Sequence, residues 1–307
     1  MLKKISVSIA LICIVITAQA QTKHRYKDII FQETTVDENQ SYQPNAPKDE
    51  KKDYLFDLYQ PKGDDAQHRP LIIWMHGGGF KFGSKTAKGV ELWSKTFAQR
   101  GYVCASINYR LSKKNPLFHF DELLKSSYYA VQDAKLAIEY FKRNAARYHI
   151  DPDKIILAGN SAGGIIALQA AYSSNAELAD LAKISNDSAA VNDPHGRAKV
   201  AAVINFWGAI YNLDWLKNAR VPIVSALGSN DGLVAPTHKT APLFGGEDIH
   251  DKATTLGIPN ELKIFEGYSH ELQKHFDPLF SGGKGTQQRW LQAGQFVADF
   301  LYNTLYK

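Results

Sequence analysis

Cysteine is scarce in this chain of 307 residues, which contains only Cys13 and Cys104. Cys13 lies in an N-terminal stretch expected to be removed, which leaves one thiol and no internal disulfide. Stability must then come from burial rather than from covalent bridges. Cys104 stands in the apolar run Tyr102 to Ile107 and reads as a buried strand residue, not as a second nucleophile. Long apolar runs are missing too. The candidate, Ile5 to Ile16, is shorter than the ~20 residues that a helix needs to cross a bilayer. No block of like charge occurs, since Lys48 to Asp53 mixes both signs and the formal net charge is only +5. Nucleic acid is therefore excluded as a partner. Internal repeats and low-complexity segments are also lacking, and the chain length suits one large α/β domain.

The N-terminus carries a different pattern. Lys3 and Lys4 precede the apolar run, and Ala18-Gln19-Ala20 closes it with small residues. That is the arrangement of an export signal. The expectation is a signal over residues 1–20, a single catalytic domain over 21–307, and a periplasmic or secreted protein with no stable membrane anchor after cleavage. Loss of the two lysines lowers the net charge to +3.

Residues 21–53 are polar and read as an irregular lead-in with an edge strand near Ile29 to Val36. From Tyr54 on, apolar runs alternate with helical patterns. The runs are Leu71 to Met75, Val103 to Asn108, Ile155 to Ala158, Val200 to Phe206, Ile223 to Leu227 and Leu262 to Phe265. Continuous rather than alternating apolar residues belong to strands covered on both faces, so a mostly parallel sheet with crossover helices is expected. A helical stripe runs through Glu122 to Tyr148, and a final helix covers Gln287 to Leu305. Residues 173–198 break the rhythm around a short helical piece and read as a lid or a long surface loop.

The sharpest local signal is Gly159-Asn-Ser161-Ala-Gly163. It follows the run Ile155 to Ala158 and precedes the helix-compatible Ile165 to Ala171, which is the strand–turn–helix setting of a nucleophile elbow. A serine on so tight a turn projects into a cleft beside the free N–H groups of the helix start. His76-Gly-Gly-Gly79-Phe80 follows the run Leu71 to Met75 and reads as an oxyanion loop. Gly78 and Gly79 are the expected donors, with Ala162 as the third. No Gly-Lys-Ser/Thr follows these glycines, which excludes a phosphate-cradling loop. His76 reads as a loop-positioning residue rather than a base.

Serine needs a base, and the base needs a carboxylate to orient it. In this architecture the order is Ser, acid, His. Asp231 follows the strand run Ile223 to Leu227 and is preferred to Asp214 and Asp248. His270 follows the run Leu262 to Phe265 and is preferred to His275. His270-Glu271 imitates a zinc helix motif, but Lys274 occupies the position the second ligand would need, so no metal is expected.

Several segments together carry a resemblance: Phe56-Asp-Leu-Tyr-Gln-Pro61, His76 to Phe80, Ile107-Asn-Tyr-Arg-Leu111, Ala130-Val-Gln-Asp-Ala134, Ile150-Asp-Pro-Asp-Lys154 and the Ser161 elbow. From Tyr54 to the C-terminus the chain resembles the α/β-hydrolase carboxylesterases that carry an HGGG oxyanion motif. That group includes hormone-sensitive-lipase-like and bacterial acetylxylan- and feruloyl-esterase-like enzymes. The resemblance implies an α/β-hydrolase fold with a mostly parallel central sheet, helices on both faces and no large separate cap domain. It implies hydrolysis of carboxylic esters through an acyl-enzyme on Ser161, with Asp231 and His270, and no cofactor. Residues 21–53 offer no counterpart of the helical cap of lipase-like relatives, which favours short acyl groups. Asn160 stands where relatives more often carry Asp, Glu or a Gln-like residue, which blurs the subgroup. Export adds an analogy with enzymes that act on acylated plant polysaccharides, so the expected partner is a small-molecule or polysaccharide-linked ester. An exported serine peptidase or acyltransferase on the same fold is the alternative, and a non-catalytic binding protein is a more distant one.

Overall fold

The computed structural model describes residues 23–184, 196–239, 243–278 and 282–307. The expected signal over 1–20 and the central part of the 173–198 segment lie outside these residues.

Eight strands form one sheet in the order β1-β2-β4-β3-β5-β6-β7-β8. They are β1 Thr34–Ser41, β2 Leu55–Pro61, β3 Arg69–Met75, β4 Val103–Ile107, β5 Ile150–Asn160, β6 Ala202–Phe206, β7 Ile223–Gly228 and β8 Asn260–Phe265. Only β2 runs against its neighbours, and from β4 through β8 every pairing is parallel. Successive residues of β3 point to opposite faces, as the period of a strand requires. Leu71, Ile73 and Met75 join the apolar cluster of one face, whereas Ile72 and Trp74 join that of the other.

Helices seal both faces. On the first lie α2 Phe120–Arg143, α4 Ala162–Tyr172, α5 Asn175–Leu181 and α6 Gly246–Thr255. On the second lie α1 Lys88–Ala98 and α7 Lys284–Leu305, joined by the Trp93 indole N–H donating to the Trp290 carbonyl at 3.0 Å. One further short helix, α3 Ala145–Tyr148, follows α2. This is the α/β-hydrolase architecture anticipated from the sequence, and no helix occurs among residues 23–50.

Two boundaries differ from expectation for identifiable reasons. The edge strand begins at Thr34 rather than near Ile29, because the N–H groups of Ile30 and Phe31 both donate to the Gln99 carbonyl at the end of α1. The stripe from Glu122 to Tyr148 is two helices. Asn144 ends the first with its side chain donating to the Tyr140 carbonyl at 2.8 Å, a side-chain bond that competes with the helical ladder. In the 173–198 segment, the helical piece is α5, started by a reciprocal Ser174–Glu177 capping box. Cys104 is fully buried in β4, and burial pushes its thiol up.

Candidate active site

The parallel strands end together, so the loops that follow them share one edge of the sheet. Register pairs Met75 with Gly159 and Asn160 with Phe206, which sets the ends of β3, β5 and β6 side by side. The loops after β3, β5, β7 and β8 carry His76 to Phe80, Ser161, Asp231 and His270.

Ser161 sits between β5 and α4 with φ 53° and ψ −118°, a conformation that costs on the order of 1–3 kcal/mol for a residue with a side chain. Its neighbours hold it there. Its N–H donates to the Phe206 carbonyl at 2.9 Å, and its carbonyl accepts the Ile165 N–H at 3.0 Å. Gly163 is required by close approach: a Cβ at that position would collide with the Met75 carbonyl.

The relay is complete. The His270 Nε2 lies 2.9 Å from the Ser161 Oγ, and the His270 Nδ1 lies 2.7 Å from the Asp231 Oδ2. An ionised carboxylate only accepts, so the proton sits on Nδ1 and Nε2 is left to accept from the serine hydroxyl. The other Asp231 oxygen accepts the N–H groups of Leu233 and Val234, each at 2.9 Å, which fixes the carboxylate plane. The His270 ring stands edge-on to Phe276 at 5.0 Å. Ser161, Asp231 and His270 are 7%, 2% and 2% exposed, so the serine is the member nearest to solvent.

Gly78 and Gly79 both take positive φ, 107° and 59°. Ala162 is the first residue of α4, where a backbone N–H has no partner within the helix. Among the described residues, none of these three N–H groups donates to a protein acceptor. His76 is buried, with burial lowering it to about 4, and its ring stacks on Tyr109 at 4.3 Å. It is therefore neutral at ordinary pH and packed into the loop.

The rejected candidates lie elsewhere. Asp214 is exposed and paired with Lys217 at 2.8 Å and Lys252 at 3.1 Å, Asp248 accepts the His238 N–H, and His275 is exposed. Among the described residues no group of three His, Cys, Asp or Glu side chains is placed to hold a metal ion. Of the aromatic residues near the site, Phe80, Trp207 and Tyr211 belong to the two apolar cores, whereas Phe82 is 61% exposed. A cavity of about 850 Å³ borders the same glycine loop, but its walls include His76, Gly83 and Tyr109 rather than Ser161 or His270. The Ser161–His270–Asp231 relay does not line that cavity.

Sequence reasoning gave no role to Asp57, Lys85, Asn205 or His250, all of them buried polar residues. Each has at least one partner 20 or more residues away, so no local pattern marks them.

Residues 56–234, more than half of the chain, match the family BD-FAE. The chain belongs to the BD-FAE family. Among curated relatives, arylacetamide deacetylase of Oryctolagus cuniculus is 28% identical over 176 residues, covering 55% of this chain and 38% of the relative. Gut esterase 1 of Caenorhabditis elegans is 30% identical over 106 residues, 34% of this chain and 18% of the relative. This BD-FAE chain thus spans well under half the length of these relatives. Among solved structures, native esterase 2 of Thermogutta terrifontis superposes with a TM-score of 0.58 at 21% identity, covering 88% of this chain and 92% of that one. The form of that esterase phosphorylated by paraoxon gives a TM-score of 0.60 at 20% identity, with 90% and 96% covered. At such identity the likeness shows a shared fold.

Proposed function

We propose that this BD-FAE protein is a serine hydrolase of carboxylic esters. The observation that carries the reading is the relay Ser161–His270–Asp231, at 2.9 and 2.7 Å, beside three N–H donors without acceptors among the described residues. His270 takes the Ser161 proton as Oγ attacks the ester carbonyl, and Asp231 steadies the imidazolium that forms. The carbonyl oxygen becomes an oxyanion facing the N–H groups of Gly78, Gly79 and Ala162. His270 then returns the proton to the leaving alcohol, and an acyl group remains on Oγ. Water, activated by the same histidine, releases the acid. Relatives named as esterases and a deacetylase support the same class.

The preferred substrates in this proposal are esters of short acyl groups, including acyl groups on polysaccharides outside the cytoplasm if the chain is exported as its N-terminus implies. The test is hydrolysis of p-nitrophenyl acetate by the protein and by Ser161→Ala. Turnover by the protein that vanishes in the variant is expected, and turnover that survives the substitution overturns the assignment. Acetylated xylan and p-nitrophenyl esters of rising chain length test the finer preference.

A further inference from the structure

The glycine loop is tied at both ends, and the second tie has no role in the chemistry above. At its entry the Tyr109 hydroxyl donates to the His76 carbonyl at 2.8 Å, with the two rings stacked. In its middle the N–H groups of Lys81 and Phe82 both donate to the Gly78 carbonyl at 3.0 Å, and Ser112 N–H donates to the Phe80 carbonyl at 2.8 Å. At its exit stands Lys85, held at every polar atom. Its N–H donates to the Asn108 side chain at 2.6 Å, and its carbonyl accepts the Ser106 hydroxyl at 2.5 Å. Its ammonium donates to both oxygens of Asp57, at 2.6 and 2.7 Å.

This ion pair is buried, its side chains 7% and 3% exposed. Asp57 lies on β2 opposite Ser106 of β4, and it also accepts the Asn39 N–H at 2.8 Å from β1. The desolvation of two charges offsets much of their attraction, so a buried pair is weak as a source of stability. What such a pair supplies is location. Lys85 is joined to the oxyanion donors through Gly83, which lies so close to His76 that a Cβ there would meet the imidazole Nδ1 and the Gly77 carbonyl. A shift at Lys85 therefore reaches Gly77 and Gly78 through packed atoms.

We propose that Lys85 and Asp57 are positioning residues for the oxyanion loop, fixing the exit arm of residues 77–85 to the antiparallel strand so that Gly78 and Gly79 hold their donors in place. The proposal rests on the ester-hydrolase reading above. The hydrogen bonds of Lys85 and Asp57 run to Asn39, Asn108, Ser106 and each other, not to Ser161 or His270. Their effect falls on the transition state, where a misplacement of about 1 Å costs on the order of 10²-fold.

The test compares Lys85→Met with the double variant Lys85→Met/Asp57→Asn, which removes both charges while keeping an acceptor for Asn39. Three quantities are measured: Tm, kcat and KM on p-nitrophenyl acetate, and the rate at which paraoxon phosphorylates Ser161. Lys85→Met is expected to lose Tm and activity together, since it strands a buried carboxylate. The double variant is expected to regain most of the Tm while kcat stays about 10- to 100-fold low, KM changes by less than about two-fold, and phosphorylation slows in step with kcat. Recovery of kcat along with Tm would show that the pair serves the fold alone and would overturn the proposal, as would a Lys85→Met protein with normal kcat. If the unaltered protein and Ser161→Ala are equally inactive on esters, the ester reading has failed, and the paraoxon rate alone decides the positioning claim. A protein that neither hydrolyses the ester nor is phosphorylated by paraoxon overturns both.

Discussion

Two hydrogen-bonded serine–histidine pairs occur among the described residues, and they have almost the same geometry. In one, Ser161 Oγ, His270 and Asp231 are linked at 2.9 and 2.7 Å. In the other, Ser225 Oγ, His250 and Asn260 are linked at 2.8 and 2.7 Å. The differences lie around the atoms. Ser225 is inside β7 with no exposure, and its Oγ also accepts the Asn205 Nδ2 at 3.1 Å. Asn205 in turn accepts the Gly208 N–H at 3.0 Å, so that chain ends by bracing the backbone after β6. Ser161, by contrast, sits on a left-handed turn at the edge of the sheet, followed by a helix whose first N–H groups are open. The third member differs as well: a carboxylate stabilises a charged imidazole through its full charge, whereas the Asn260 carboxamide does so only through a hydrogen bond. Distance alone does not make a nucleophile. Backbone strain, access, nearby donors and the charge of the third partner separate the relay proposed to be reactive from the one buried in the core.

The largest effect that tests this contrast is Ser161→Ala, expected to lower kcat by about 10⁶-fold on a p-nitrophenyl ester, as removal of an acyl-enzyme nucleophile does. Next comes Asp231→Asn, which gives the reactive relay the third partner of the buried one. Its kcat should fall by about 10⁴-fold with little change in KM, because the wrong tautomer of His270 is then favoured. Ser225→Ala attacks the other relay: it orphans the His250 Nε2 and leaves the Asn205 Nδ2 only the Gly208 carbonyl as acceptor. Urea unfolding should show a loss of about 1–3 kcal/mol for the orphaned group, while kcat stays within a few-fold. A large fall in kcat at unchanged Tm would erase the distinction drawn here.

The smallest effect concerns pH. Burial holds His250 down at about 4 against an ordinary 6.5. The unfolded chain thus binds a proton that the folded chain refuses. This share of the stability is complete above pH 6.5 and is lost as pH falls toward 4, with about 2 kcal/mol gone by pH 5. His76, also at about 4 through burial, adds in the same direction. Denaturation curves at pH 7.5 and pH 5 should show His250→Gln less stable at the higher pH but less sensitive to acid than the unaltered protein. Equal acid sensitivity of the two proteins would remove His250 from the account.

The sheet was legible in the chain wherever strands are buried on both faces. Leu71 to Met75 and Ile155 to Ala158 are apolar without interruption, and both lie in central strands. The strand β1 was misplaced because it is half exposed, with a polar sequence that carries no such run. The triad was legible because each member follows a strand closely, and shared strand ends turn sequence position into spatial position. Lys85 and Asp57 were not legible. They meet across 28 positions through a fold that must exist first, and a lone lysine or aspartate carries no periodic signal. The helix α1 was missed as well, since Lys88-Gly89 is a poor beginning for a helix and no side chain caps it.

The packing of Gly163 against the end of β3 has a consequence for engineering. It locks Ser161 and the glycine loop into one hub by direct backbone contact. Around that hub, Phe82, Leu117, Phe118 and Leu233 are 61%, 45%, 80% and 53% exposed, on loops that tolerate change. Libraries randomised at those four positions can alter which esters are accepted without rebuilding the hub, whereas a single added methyl at Gly163 would jam it.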